Sequence, residues 1–423
     1  MKALTKISIG FLSLAAVALG FTSCSSEDVA SGTNQGKMSS LTLTINTGKS
    51  MGSRATDWTK DPAGADKKDT ENKINRVAIG IFSNTGNVKT IVELTPVTAG
   101  TAGTNSLTQA DANNATATIV TSSLDANDEV LVAINAPTGR FTGCQNKSDF
   151  MQKTETAAEA LANSTDAQDE TNIPMFGSAS LSGSGSKFTA SVSVIHMIAK
   201  VSLTELKVDF KTGSAYAGAE FTPKAVFLIN VPTTFKFDNT LDSNNDYNNA
   251  WLSAGYEHGW GTFATNYDAN TANTNAATTF TGSTFAKYLT TSELTGKTLK
   301  GEVGGSDDTY DQNVFFYTMP NGQVDDKATK LVIAGQFQAT GVDKVVYYPL
   351  FLNAKVNSTG TGYDPAVPGS VAKKVYPNKN YNCKVVIRNI GADSPNTNLD
   401  PQTATISISV TNFVEAEQKT EFN

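Results

Sequence analysis

The sequence predicts an all-β protein with long polar loops, and three observations carry that reading. Many short segments alternate apolar with polar residues, the signature of half-buried strands. Most of these segments end in Pro, Asn or Gly, which are turn residues. Outside the first residues no apolar stripe of helical period has useful length. The 423 residues suffice for two ordinary domains. A net charge of −7 with only 17% charged residues argues against nucleic acid or an anionic membrane surface as partner.

The chain opens as a targeting segment. Lys2 and Lys6 are a basic start, and Ile7 to Phe21 is an apolar run too short to span a bilayer. Small residues then lead to Cys24, which reads as a lipoprotein signal of residues 1–23 with lipid added to the Cys24 thiol. An ordinary secretory signal with an incidental cysteine is the alternative. The acidic pair Glu27-Asp28 lies close behind. Residues 25–38 are small and polar, as in a tether. In 39–47, Leu41, Leu43 and Ile45 point one way and Thr42, Thr44 and Asn46 the other, so a strand is expected. A loop with Arg54 follows, then a charged stretch to about Asn72.

Residues 73–94 read as a hairpin around Asn84-Thr85-Gly86-Asn87. Residues 98–116 read as loop, "ATIVTSSL" and "DEVLVAINAP" as strands, and 151–163 as one short helix. The apolar run 188–203 reads as a single buried strand, with a domain boundary near residue 202. In the second half "AVFLINVP", "NVFFYTMPN", "KLVIAGQF", "KVVYYPLFLN" and "YNCKVVIRNI" are strands, and 264–284 is a Thr/Asn/Ala loop. The last strand sets Ile406, Ile408 and Val410 on one face and Thr405, Ser407 and Ser409 on the other.

The first and last strands thus carry the same teeth. A cut after Arg54 would free strand 39–47 and leave an unpaired edge with an apolar trench, into which a neighbour's 404–411 would fit. Such a contact is head-to-tail and builds a filament. Ordinary pairing of both strands within one chain is the alternative.

On these residues the chain resembles the major subunits (fimbrillins) of the type V pili of Gram-negative anaerobes. The resemblance rests on the lipobox at Cys24, the strand before Arg54-Ala55 and "KINRVAIGIF". It continues through "VAINAP", "IPMFG", "MIAKVSL", "FFYTMPN", "VYYPLFLN" and "YPNKNYNCKVVI" to the closing "ISISVTNFVEAEQKTEF". Phe21 stands where the family more often has Leu, Phe413 where a Trp is common, and Pro377 where a basic residue is frequent. The resemblance implies two transthyretin-like β-sandwich domains in tandem, 55–202 and 203–423. It implies a leader of 24–54 and a donor region 404–423 that includes Ile406, Ile408, Val410 and Phe413. It further implies export as an outer-membrane lipoprotein, cleavage between Arg54 and Ala55 by an arginine-specific protease, and a fimbrium on the cell surface. The partners it implies are other copies of the chain, anchor and accessory subunits, and host or bacterial surface ligands. A tip or accessory adhesin of the same pilus, or a surface lipoprotein that binds glycan and never polymerises, are the competing readings.

No enzyme, cofactor or metal is expected. The two histidines read as structural: His196 in an apolar strand, His258 packed in a loop between Tyr256 and Trp260. Trp251, Trp260 and Tyr256 are the residues a glycan would use. Asp242, Asn244 and Asp246 have calcium-like spacing, but Tyr247 replaces the glycine and Ser253 the closing Glu. Beyond Cys24, Cys144 and Cys383 lie far apart and read as free buried thiols. Only four residues are arginine, namely Arg54, Arg76, Arg140 and Arg388. All but Arg54 fall in or beside predicted strands.

Overall fold

The computed structural model describes residues 38–47, 71–97, 103–111, 114–161, 168–240, 255–258, 286–288, 297–310, 314–360, 362–400 and 404–412. All of them belong to one compact unit, Lys37–Asn423. It is all-β, with two short helices among the described residues.

The first half runs β1 (Met38–Asn46), β2 (Val77–Phe82), β3 (Val88–Leu94), β4 (Ser106–Asp111), β5 (Asn114–Ser122) and β6 (Glu129–Ile134). It continues with α1 (Lys147–Met151), β7 (Thr154–Thr156), α2 (Ala157–Leu161), β8 (Met175–Ser180), β9 (Ser182–Ser184), β10 (Lys187–Ser193) and β11 (Ile195–His196). Two five-stranded sheets result, ordered β4-β5-β1-β10-β9 and β11-β8-β6-β2-β3. Alternation explains how they meet. Leu41, Leu43 and Ile45 of β1 and Ala117 and Ile119 of β5 join Val77, Ile79 and Ile81 of β2 and Val130, Val132 and Ile134 of β6 in one buried cluster. The sheets form a sandwich.

The second half runs β12 (Ala199–Val208), β13 (Glu220–Ile229), β14 (Val231–Pro232), β15 (Thr234–Lys236), β16 (Tyr256–Glu257), β17 (Ala286–Tyr288), β18 (Leu299–Lys300) and β19 (Thr309–Tyr310). Then come β20 (Val314–Thr318), β21 (Lys330–Ala339), β22 (Val342–Phe351), β23 (Lys355–Val356), β24 (Tyr363–Asp364), β25 (Lys379–Ile387) and β26 (Ala404–Asn412). One sheet is ordered β19-β12-β25-β26 with β20 also on β12, the other β17-β13-β21-β22 with β18 also on β13. Val201, Leu203, Tyr381, Cys383 and Val385 from the first meet Phe221, Val226, Leu331, Ile333 and Tyr348 from the second.

Asparagine ends strands here for a conformational reason. Asn135, Asn230, Asn353 and Asn378 all have positive φ, between 48° and 60°, a region Asn tolerates better than other side chains. The side chains of Asn135, Asn230 and Asn353 also donate to backbone carbonyls of other segments. The Asn135 side chain donates to the Lys73 and Ile173 carbonyls and accepts from the Asn75 N–H. Gly177 is demanded by space, since a Cβ there would lie 2.4 Å from the Ser193 carbonyl oxygen.

Four sequence expectations change. The run 188–203 is not one strand: β10, β11 and β12 divide it, and β12 belongs to the second half. The expected boundary at residue 202 therefore falls inside β12, whose partners are β19, β20 and β25. Residues 98–116 are not all loop, because Leu107 is buried and β4 pairs with β5. The helix expected over 151–163 is replaced by α1, β7 and α2, as Thr154-Glu155-Thr156, with a β-branched Thr at each end, pairs with β15. At the end of the charged stretch, Glu71 and Asn72 are buried. The segment 264–284 lies outside the described residues.

Candidate functional site

The sequence singles out β1, and the structure places it at the centre of its sheet. It pairs antiparallel with β5 on one side and parallel with β10 on the other. The Ser40 N–H donates to the Ser186 carbonyl at 2.8 Å, and the Asn46 carbonyl accepts from the Val194 N–H at 2.9 Å. Leu41, Leu43 and Ile45 are fully buried. Leu41 faces Ile119 and Phe188, Leu43 faces Ala117 and Ala190, and Ile45 faces Ala115 and Val192 in register. The alanines flanking Leu43 and Ile45 leave room for large teeth at a spacing of two. Burying three such side chains contributes roughly 5–9 kcal/mol before entropy costs.

From the sequence alone, losing this strand leaves one open edge. A central strand leaves two: β5 and β10 would face each other across a gap one strand wide, floored by the other sheet. Unpaired edges of this kind recruit another strand.

β26 is an edge strand. Among the described residues it pairs only with β25, antiparallel, with Ile406 opposite Val385, Ile408 opposite Cys383 and Val410 opposite Tyr381. Ile406 is 7% exposed, and Ile408 and Val410 are half-buried against the core. The last strand therefore carries its three teeth inward, on the sheet's periphery. Phe413 lies outside the described residues.

So do Cys24, Arg54 and Ala55, together with Trp251, Trp260, Asp242, Asn244 and Asp246. The other three arginines are described, and each is engaged. Arg76 Nη1 donates to Thr138 Oγ1 at 2.9 Å, and its carbonyl accepts from the Asn135 N–H at 3.0 Å. Arg140 pairs with Glu159. Arg388 Nε lies 3.2 Å from Asp209 Oδ2.

A buried polar cluster that the sequence did not suggest ties the start of the described second segment to the second half. Glu71 Oε1 accepts from Lys200 Nζ at 2.6 Å and from the Tyr317 hydroxyl. His196 Nε2 contacts the Glu71 carbonyl at 3.0 Å. Burial pushes the His196 pKa down to about 4 and the Tyr317 hydroxyl well up. Glu71 sits in "KKDTENKINR", which looks like a solvated run, so no signal in the sequence marks it.

His196 is fully buried. His258 Nδ1 accepts from the Asn230 N–H at 3.1 Å. Cys144 and Cys383 are free and buried, and burial raises both thiols. Among the described residues no group of three or more His, Cys, Asp or Glu could hold a metal ion.

Compared with known proteins, the chain matches no family model and no curated relative. Solved structures do match. A "putative cell adhesion protein" from Bacteroides eggerthii DSM 20697 aligns at TM-score 0.54 and 15% identity, over 89% of this chain and 97% of that one. Two proteins of the same description from Parabacteroides distasonis ATCC 8503 align at TM-score 0.55. One is 13% identical and covers 89% of this chain and 99% of its own; the other is 14% identical and covers 90% and 99%. The chain shares their fold across nearly its whole length.

Proposed function

We propose that this chain is a structural subunit of a surface fimbria that serves adhesion. It is exported as a lipoprotein lipidated at Cys24, reaches the outer membrane and is cut between Arg54 and Ala55 by an arginine-specific protease. The leader leaves with β1, and the C-terminal strand region of a second copy, with Ile406, Ile408, Val410 and Phe413, takes the vacated place. Repetition builds the filament, with anchor and accessory subunits as further partners. The processed chain is divided into two β-sandwich halves, with the boundary moved from residue 202 to the stretch between His196 and Ala199 so that β12 stays whole.

The observation that carries this reading is the position of β1. It is the most deeply buried strand of its sheet, held on both sides, yet joined to the body only through residues 48–70, which contain Arg54. Two further facts support it. Arg76, Arg140 and Arg388 are each held by a side-chain partner, which argues against cleavage at those three arginines. The cell-adhesion description of the proteins that share the fold agrees with a surface role.

The test is limited digestion of the purified precursor with an arginine-specific protease. The expected product starts at Ala55 and forms a ladder of heat-labile oligomers, and Arg54→Ala stays a full-length monomer. Trimming without a ladder would favour the non-polymerising surface lipoprotein instead.

A further inference from the structure

Among the described residues outside the β1 site, one carboxyl group is buried with neither oxygen bonded. Glu155 lies at the centre of β7, is fully buried, and neither carboxyl oxygen has a hydrogen-bond partner. Its strand is a joint between the two halves of the chain. Thr154, Glu155 and Thr156 pair with Lys236, Phe235 and Thr234 of β15. The Ala157 N–H donates to the Thr233 carbonyl at 2.9 Å and the Phe237 N–H to the Lys153 carbonyl at 3.2 Å, which extend the seam at both ends. On its flank Phe235 contacts Phe237, Phe237 contacts Phe141, and Phe141 stacks on Phe150. An ionised carboxylate without hydrogen bonds is costly in such surroundings.

The charges around Glu155 do not relieve that cost. Glu159, on α2, repels it. Arg140 and Arg76 attract it, but Arg140 is committed to Glu159 and the terminal nitrogen of Arg76 to Thr138. Lys236, the charged residue of β15, donates to Gln152. Glu159 in turn is fixed by the start of α2, accepting from the Thr156 N–H while Thr156 Oγ1 accepts from the Glu159 N–H.

We propose that Glu155 makes the β7–β15 seam a proton-dependent joint between the two halves: closed while the carboxyl is neutral, opening when it ionises. Burial first, then Glu159, raise the carboxyl pKa to about 8. The folded state therefore holds this proton more tightly than the unfolded one. The seam's stability is greatest at low pH and is lost as pH rises toward and through 8. An opened seam frees the backbone of 153–157 and 233–237, which links the two sandwiches outside their own sheets.

The experiment is hydrogen exchange of the full chain between pH 6.5 and 9.5, corrected for intrinsic rates and read at the β7 and β15 amides. The expected result is protection that falls about tenfold per pH unit from 6.5 up to about 8 and levels off above it. Glu155→Gln, neutral and nearly the same shape, should hold its protection flat over that range. Glu155→Leu should behave likewise if the amide variant folds poorly. On the unaltered protein, carboxyl 13C resonances should show one glutamate still protonated at pH 6.5. Flat protection in the unaltered chain, an unchanged slope in Glu155→Gln, or every glutamate ionised at pH 6.5 would each overturn the joint.

Discussion

At the scale of single residues, the buried polar groups decide how the molecule answers pH. His196 is enclosed, and its pKa falls to about 4 against an ordinary 6.5. The unfolded chain takes up a proton below pH 6.5, whereas the folded one does so only near pH 4. Its contribution is therefore fully present above pH 6.5 and is lost as pH falls toward 4. At pH 4.5 the loss is roughly 2–3 kcal/mol. Urea unfolding of the unaltered chain and of His196→Gln, at pH 7 and 4.5, checks this: the variant should lose less stability between the two pH values. An equal loss would place the acid sensitivity elsewhere. These residues were the least legible in the sequence. His196 could be read as a core residue because its neighbours are apolar, but its partner Glu71 lies 125 positions away among lysines and an aspartate. Glu155 likewise sat in a stretch whose composition suits a helix. Only the pairing of β7 with β15, a contact between distant segments, buries it. Asparagine at strand ends was legible as punctuation, while its left-handed backbone and its bonds to other segments were not.

At the scale of elements, the long alternating strands were read correctly because one face of each is buried and the period of two survives in the sequence. β1 is of this kind, whereas β2, β6 and the first part of β21 are buried on both faces and are read from apolar runs bounded by turn residues. The failures are short elements whose structure depends on a partner, such as β4, β7 and α1, and the run 188–203. That run is continuous in hydrophobicity but passes from one sheet to another. β1 carries the element-scale prediction. Leu43→Ala removes a fully buried tooth next to Ala117 and Ala190, where the flanking methyls cannot fill the space. Thermal or urea unfolding of the precursor should show a loss of about 2–5 kcal/mol. If the leader departs on processing, oligomers formed from that variant should dissociate at the same temperature as those from the unaltered chain. Oligomers weakened as much as the precursor would mean that β1 stays in place.

At the scale of the whole molecule, the sequence showed an all-β chain with similar first and last strands, and the structure locates the two in different sheets of different sandwiches. β1 is central and β26 peripheral. Under the proposed exchange that asymmetry would make assembly directional: the acceptor groove would be interior, and β26 would leave an edge without splitting a sheet. It also carries a cost, since β26 covers Val385 and Cys383 while it stays at home. Exchange is favoured only where the groove between β5 and β10 returns more than that edge gives up, and such a groove arises only once β1 has gone. A precursor with its leader intact is on this view a closed monomer. The most direct test is mass spectrometry of assembled oligomers after denaturation, mapping which peptides each subunit retains. Strand exchange requires subunits that begin at Ala55 and contain no peptide from Met38–Asn46. Oligomers that keep that strand in stoichiometric amount would contradict it.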